Sequence, residues 1–138
     1  MIILDTNVLS ELMRPGPYAG VVDWVSTQPV ARLFTTSVTQ AEILHGIMLL
    51  PSGLRRDAFE AAATAMFDED LAGHVLPFGS DAARAYAEIA AARRRAGRPI
   101  SQFDAQIAAI ARSTGADIAT RNVADFEQCG VKLINPWV

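Results

Sequence analysis

Four acidic residues draw attention because each sits where a short apolar run gives way to small polar residues and then to a helical pattern. Asp5 directly follows Met1-Ile2-Ile3-Leu4. Glu42 closes Ser37-Val38-Thr39-Gln40-Ala41-Glu42, Asp104 closes Ser101-Gln102-Phe103-Asp104, and Asp125 closes Asn122-Val123-Ala124-Asp125. Carboxylates that converge in a partly desolvated cleft repel one another, which raises at least one pKa unless a cation is present. A hard divalent ion with oxygen ligands relieves that repulsion, and Mg²⁺ in particular keeps several waters and uses few carboxylates, leaving room for a substrate phosphate. Such a site suits phosphodiester hydrolysis by an activated water, with no protein nucleophile required.

The competing reading is local. Thr39-x-x-Glu42, Ser101-x-x-Asp104 and Asn122-x-x-Asp125 all fit a capping box or its near relatives, and acids in a first helical turn are favoured by the helix dipole. Two features weigh against capping alone. Asp104 is followed by Ala105, Ala108, Ala109 and Ala111, so its helix face is packed and its carboxylate points toward a sheet. Glu42 stands directly beside Ile43 and Leu44.

The elements that must position these acids follow from the apolar pattern. The unbroken run Met1 to Leu4 reads as a strand buried on both faces, since a half-exposed strand would alternate. Asp5 then stands at its carboxyl end, where open parallel sheets bind ligands. Thr6 or Asn7 is expected to cap the next helix, leaving the Asp5 side chain free. After the break Arg14-Pro15-Gly16-Pro17 come a helix from about Tyr18 to Thr27, a strand at Leu33-Phe34-Thr35, and a helix with Ala41, Leu44, Ile47 and Met48 on its apolar face. Ser52 is expected to cap a partner helix through Leu54, Phe59, Ala62 and Met66, forming a helical hairpin. Further on, His74 to Pro77 suggests a short strand, Ser80 to Ala96 an alanine-rich helix stopped by Gly97 and Pro99, and Ser101 onward a helix through Phe103, Ile107 and Ile110 ended by Gly115. Asp117 to Thr120 is a strand, Asn122 to Glu127 a short helix, and Val131 to Ile134 a last strand. Short strands alternating with helices imply right-handed crossovers and a three-layer α/β/α fold around a central, mainly parallel sheet of four to five short strands.

At 138 residues the chain reads as a single domain, 1–138, without repeats or linkers. Its 51% hydrophobic and 20% charged content excludes a disordered chain. The one cysteine, Cys129, has no internal partner, which fits a reducing compartment. No basic start and no apolar stretch long enough for a signal or a membrane span precedes or follows Asp5, so the expected location is cytoplasmic, away from any membrane. A net charge of −3 argues against coating nucleic acid through bulk positive charge, but not against an acidic site neutralised by metal ions.

Other chemistries fit less well. Glu42-Ile43-Leu44-His45 contains a single Glu-x-x-His, whereas a di-iron site needs two with extra glutamates. A phosphatase with a strand-end Asp nucleophile, of the haloacid-dehalogenase type, wants Asp-x-Asp, and the second position here is Asn7; the sole lysine, Lys132, lies beside the final strand. His74 is expected to end a strand without chemical work. Arg93-Arg94-Arg95 with Arg98 reads as a solvated helix end matched to the dipole, or else as a contact for an RNA backbone. Trp24, Trp137 and Phe126 are expected to fill a core or a dimer contact rather than to stack bases.

At these residues the chain resembles a PIN-domain ribonuclease of the VapC toxin type. The resemblance runs over essentially the whole length: Ile3-Leu4-Asp5-Thr6-Asn7, Thr39-x-Ala41-Glu42-Ile43, Asp104-Ala105-Gln106-Ile107-Ala108-Ala109, Ala119-Thr120-Arg121-Asn122-x-x-Asp125-Phe126 and Ile134-Asn135-Pro136-Trp137. It implies a PIN-like fold and a Mg²⁺-dependent endoribonuclease, with Mn²⁺ as substitute, that acts on RNA as a homodimer. It also implies silencing by a cognate antitoxin, in a complex that binds operator DNA. The family roles carry over to Asp5, Glu42 and Asp104 as the acids that hold metal and activate water. Where many relatives have Thr-Arg-Asp, this chain has Thr120-Arg121-Asn122, so Asn122 is a neutral fourth ligand and Asp125 the alternative. Thr6, Asn7, Ser37 and Thr120 are expected to support the ligands. The loss of an acid at Asn122 leaves a further reading open, that of an idle domain which only binds its antitoxin and operator DNA.

Overall fold

The computed structural model describes residues 1–138, and five short strands form one all-parallel sheet in the order β3-β2-β1-β4-β5. In chain order the elements are β1 (Ile2–Leu4), α1 (Thr6–Met13), α2 (Ala19–Thr27), β2 (Leu33–Thr36), α3 (Ser37–Met48), α4 (Leu54–Ala65), β3 (Val75–Leu76), α5 (Ser80–Arg95), α6 (Gln102–Thr114), β4 (Asp117–Ala119) and β5 (Leu133–Ile134). β1 lies at the centre, with Ile2 opposite Leu33 on one side and Asp117 on the other. The chain builds outward from β1 through β2 and β3, then returns to start β4 on the opposite side of β1. The crevice at the carboxyl ends of β1 and β4 is therefore the topological switch point, where sheets of this kind bind ligands.

Strand side chains alternate between two apolar layers, as the two-residue period requires. Ile3 and Ile118 pack with Ala85 and Ile89 of α5 and Ile107 to Ala111 of α6. Ile2, Leu4, Leu33 and Ala119 pack with Val8 and Leu9 of α1, Val21 of α2, Ile43 and Ile47 of α3, and Ala63 of α4. The three-layer expectation holds. No helix is long and apolar enough to cross a membrane.

Several local expectations are corrected. The apolar face of α3 is Val38, Ile43 and Ile47, whereas Leu44 and Met48 are exposed. A buried threonine, Thr39, shares the inward face and so hid its register. Phe103 is exposed as well, and α6 packs instead through its alanines and isoleucines. α4 is preceded by Gly53, and Ser52 makes no cap. β4 stops at Ala119, β5 begins only at Leu133, and the segment after Asn122 is a 3-10 turn over Val123–Phe126. Too few residues remain there for an α-helix before Glu127 becomes extended. Gly115 ends α6 in the left-handed conformation, letting Ala116 N–H reach the Ala111 carbonyl at 2.9 Å.

Candidate metal centre

Asp5 itself caps α1. Its Oδ1 accepts from Thr6 N–H at 2.8 Å, so the expectation that Thr6 or Asn7 does the capping is wrong. Both roles fit one side chain because a carboxylate has about four acceptor sites. Oδ2 accepts from Thr120 Oγ1 at 2.8 Å and from Asn7 Nδ2 at 3.3 Å. Thr120, fully buried just past β4, thus ties the two strand ends across the switch point. Its hydroxyl is saturated: it donates to Asp5 and accepts from Asn122 N–H at 3.0 Å and Asn7 Nδ2 at 3.3 Å. Asn7 Oδ1 accepts from Arg121 N–H at 3.2 Å, fixing the backbone that leaves β4.

Glu42 enters from the neighbouring strand's helix. Thr36, the last residue of β2, caps α3 by accepting from Thr39 N–H at 3.1 Å. That places Thr39 inside the helix and Glu42 in its second turn, so the Thr39-x-x-Glu42 capping box does not form. Instead Thr6 Oγ1 donates to Glu42 Oε1 at 3.0 Å and lies 3.1 Å from Thr39 Oγ1. The chain Thr39–Thr6–Glu42 joins α1 to α3, a role for Thr39 that the sequence did not disclose. Ser37 begins α3 and takes no part in the hydrogen bonds of the cluster.

Asp104 arrives on α6, whose N-cap Ser101 accepts from Asp104 N–H at 3.2 Å as the spacing predicts. Asn122 lies exposed at the cap of the 3-10 turn; its backbone, not its amide, bonds to Thr120. Asn122-x-x-Asp125 forms no side-chain cap.

The acids sense one another. Asp5 is only 4% exposed, and its pKa rises from 3.8 to about 6, chiefly through burial. The bonds from Thr120 and Thr6 oppose that rise, while the charges of Asp104 and Glu42 add to it. Glu42 is raised by burial and by Asp104, against the bond from Thr6. Asp104 is raised by burial and by Asp125, against Ser101 and Arg93. Residues from β1, α3, α6 and the 3-10 turn therefore share one electrostatic neighbourhood. No group of three or more Asp, Glu, His or Cys side chains lies close enough together to hold a metal ion by itself. The donors are hard carboxylate oxygens backed by threonine hydroxyls, a set suited to an ion that uses few carboxylates and fills its shell with water.

Arg93 contradicts its reading as a solvated helix end. It is 4% exposed; its Nε donates to the Arg98 carbonyl at 2.7 Å and its Nη1 to the carbonyls of Asp125 and Glu127 at 2.9 Å each. A lone arginine thus clamps the segment that carries Asp125. Nothing in a run of three arginines signals which one turns inward. His74 makes a structural bond, Nδ1 to the Leu33 carbonyl at 2.7 Å, and stacks on Phe34. Phe126 is buried; Trp24 and Trp137 are partly buried against the core.

Comparison with known proteins agrees with this arrangement. The profile described as PIN domain matches residues 2–131. The chain is 40% identical over 137 residues to the VapC ribonuclease Y4jK of Sinorhizobium fredii, covering 99% of this chain and 98% of that protein. It is 34% identical to Toxin FitB of Neisseria gonorrhoeae, covering 99% of each. Among solved structures, FitAB bound to an IR36 DNA fragment superposes with a TM-score of 0.90 at 33% identity, covering 100% of this chain and 96% of that one.

Proposed function

The chain belongs to the VapC group of the PIN-domain family, and on that premise we propose that it is the endoribonuclease toxin of a toxin–antitoxin pair. It hydrolyses RNA phosphodiester bonds in the cytoplasm, as a homodimer of one-domain subunits, and is silenced by a cognate antitoxin in a complex that binds operator DNA. The observation that supports the reading best is the hydrogen-bonded line Thr120–Asp5–Thr6–Glu42, which draws acids distant in sequence to the switch point with Asp104 close enough to raise both their pKa values.

In this reading Asp5, Glu42 and Asp104 hold Mg²⁺, or Mn²⁺ in its place. When bound, the ion supplies a water of lowered pKa and positive charge for the phosphate oxygens. The protein's own groups then do the positioning. Thr120 and Thr6 N–H orient the two Asp5 oxygens, and Thr6 Oγ1 orients Glu42. Asp125 lies close enough for its charge to raise the Asp104 pKa, which makes it a candidate for the fourth position beside the neutral Asn122. Asn122 then helps by holding Thr120 through its backbone, whereas Ser37 only starts α3.

The test is to sequence RNA ends after brief expression of the parent and of Asp5→Asn. New ends at defined positions with the parent, absent with the variant, are expected. Equal cutting by both would remove the metal site from the account, and no cutting by either would favour an idle antitoxin-binding domain.

A further inference from the structure

A second cleft, of about 740 Å³, is lined by Glu11 of α1, Arg14 just past its end, Tyr18, and Arg121, Asn135 and Trp137 from the segments that follow β4 and β5. Its size is that of a site for a small organic group. Its position follows from strand order. Asp5 follows β1, Arg121 follows β4 by one residue beyond Thr120, and Asn135 to Trp137 follow β5, so the three lie side by side at the carboxyl ends of adjacent parallel strands. Neighbouring strands are about 5 Å apart, so the segments that carry Arg121 and Asn135 leave the sheet one and two strand widths from Asp5.

The lining chemistry is that of a nucleotide. The Arg121 guanidinium lies over the Trp137 ring, 5.2 Å from its centroid. Arg121 is exposed and takes part in none of the five ion pairs of the chain. Its backbone is nevertheless fixed by the bond to Asn7. Trp137 rests partly on the core, and its backbone N–H donates to Asn135 Oδ1 at 2.9 Å, which fixes the main chain that carries the ring. Arg14, by contrast, is neutralised by Glu11, a 7% exposed carboxylate 3.3 Å away. The cleft thus offers a cation outside every ion pair, an indole packed partly on the core and the exposed Tyr18 ring. Single-stranded nucleic acids are held in this way, by bases on aromatic or guanidinium faces and phosphates on arginine.

We propose that this cleft is a subsite for single-stranded RNA, in which Arg121 and Trp137 hold the nucleotide next to the one whose phosphate lies at Asp5. The proposal rests on the ribonuclease reading above, and it adds binding residues that lie outside the acid cluster.

The probe is a short mixed-sequence oligoribonucleotide, labelled at one end and titrated with the full-length protein in EDTA, so that binding is read by anisotropy without cleavage. Arg121→Ala should weaken binding about tenfold and flatten the dependence of log K on log salt by about 0.7, the contribution of one phosphate contact on a single strand. Trp137→Leu should weaken it by a similar factor while Trp137→Phe retains most of the affinity. Arg84→Ala on α5, which removes the same charge far from the cleft, should change nothing. Arg121 is exposed, so its variant folds and its result stands even if Trp137→Leu melts early. Affinity and salt slope for Arg121→Ala equal to the parent's overturn the subsite, as does a parent that fails to bind the probe. Variants that keep RNA and lose a protein partner also overturn it, making the cleft a protein-docking surface. A parent that cuts RNA with variants unaltered in RNA binding leaves the ribonuclease reading intact, whereas a parent that cuts no RNA removes both.

Discussion

Asp5→Asn should make the metal-free protein more stable at neutral pH. Burial raises the Asp5 pKa from 3.8 to about 6, so the folded chain holds this proton more tightly than the unfolded chain does. At 1.36 kcal/mol per pH unit, the ionised side chain costs about 3 kcal/mol of stability above pH 6, and that cost disappears as pH falls below about 4. An amide is uncharged at every pH but has one acceptor oxygen: if that oxygen keeps the bond from Thr6 N–H, its NH2 takes the second place and must donate to the Thr120 hydroxyl instead of accepting from it. It loses the extra strength of bonds to a charged acceptor and meets the Asn7 amide less favourably, which reduces the expected gain to about 1–3 kcal/mol. For a chain of this length that corresponds to a rise in Tm of very roughly 4 °C per kcal/mol. Thermal melts in EDTA at pH 7.5 should show the variant ahead, and the gap should narrow steadily below pH 6 and close only below about pH 4, where Asp5 is protonated in the unfolded chain as well. Glu42 and Asp104 are raised as well, but they are present in both proteins. A variant that is less stable at pH 7.5, or a gap that ignores pH, would refute the claim that the site is held in an electrostatically costly state.

Other substitutions probe the supporting groups. Thr6→Val removes the donor to Glu42 Oε1, and should push the Glu42 pKa higher and weaken Mn²⁺ binding by calorimetry several-fold, in line with a bond of about 1–2 kcal/mol. Arg93→Ala strands the carbonyls of Arg98, Asp125 and Glu127 and should cost about 3–5 kcal/mol in denaturant melts, with Arg93→Lys recovering little, because an ammonium cannot span the same fork. Asp125→Asn should lower the Asp104 pKa, seen by carboxyl NMR, and weaken Mn²⁺ binding more than Asn122→Ala does. The reverse order would return the fourth position to Asn122.

Much of this fold was legible because its central strand is apolar throughout and many of its helix stops are glycines and prolines. Met1 to Leu4, Gly97 and Gly115 each stated their role by residue type alone. The candidate acids were legible for the same reason, since each follows an element that must end at one rim of a parallel sheet. What the sequence concealed were buried polar side chains that serve a partner distant in the chain. Thr39 looks like a cap from its neighbours, yet bonds to Thr6, and Arg93 looks solvated beside Arg94 and Arg95, yet reaches the carbonyls of Asp125 and Glu127, more than thirty residues along the chain. Local pattern carries no information on such pairings, because the free energy that selects them comes from contacts formed only after the layers have packed.

The central claim is that Asp5, Glu42 and Asp104 together hold a divalent cation. Titration of Mn²⁺ into the metal-free protein, followed by electron paramagnetic resonance of the free ion, measures this directly. The account predicts saturable binding by the parent that falls at least tenfold in Asp104→Asn and again in Asp5→Asn, with both variants folded. Equal Mn²⁺ uptake by parent and variants would contradict it.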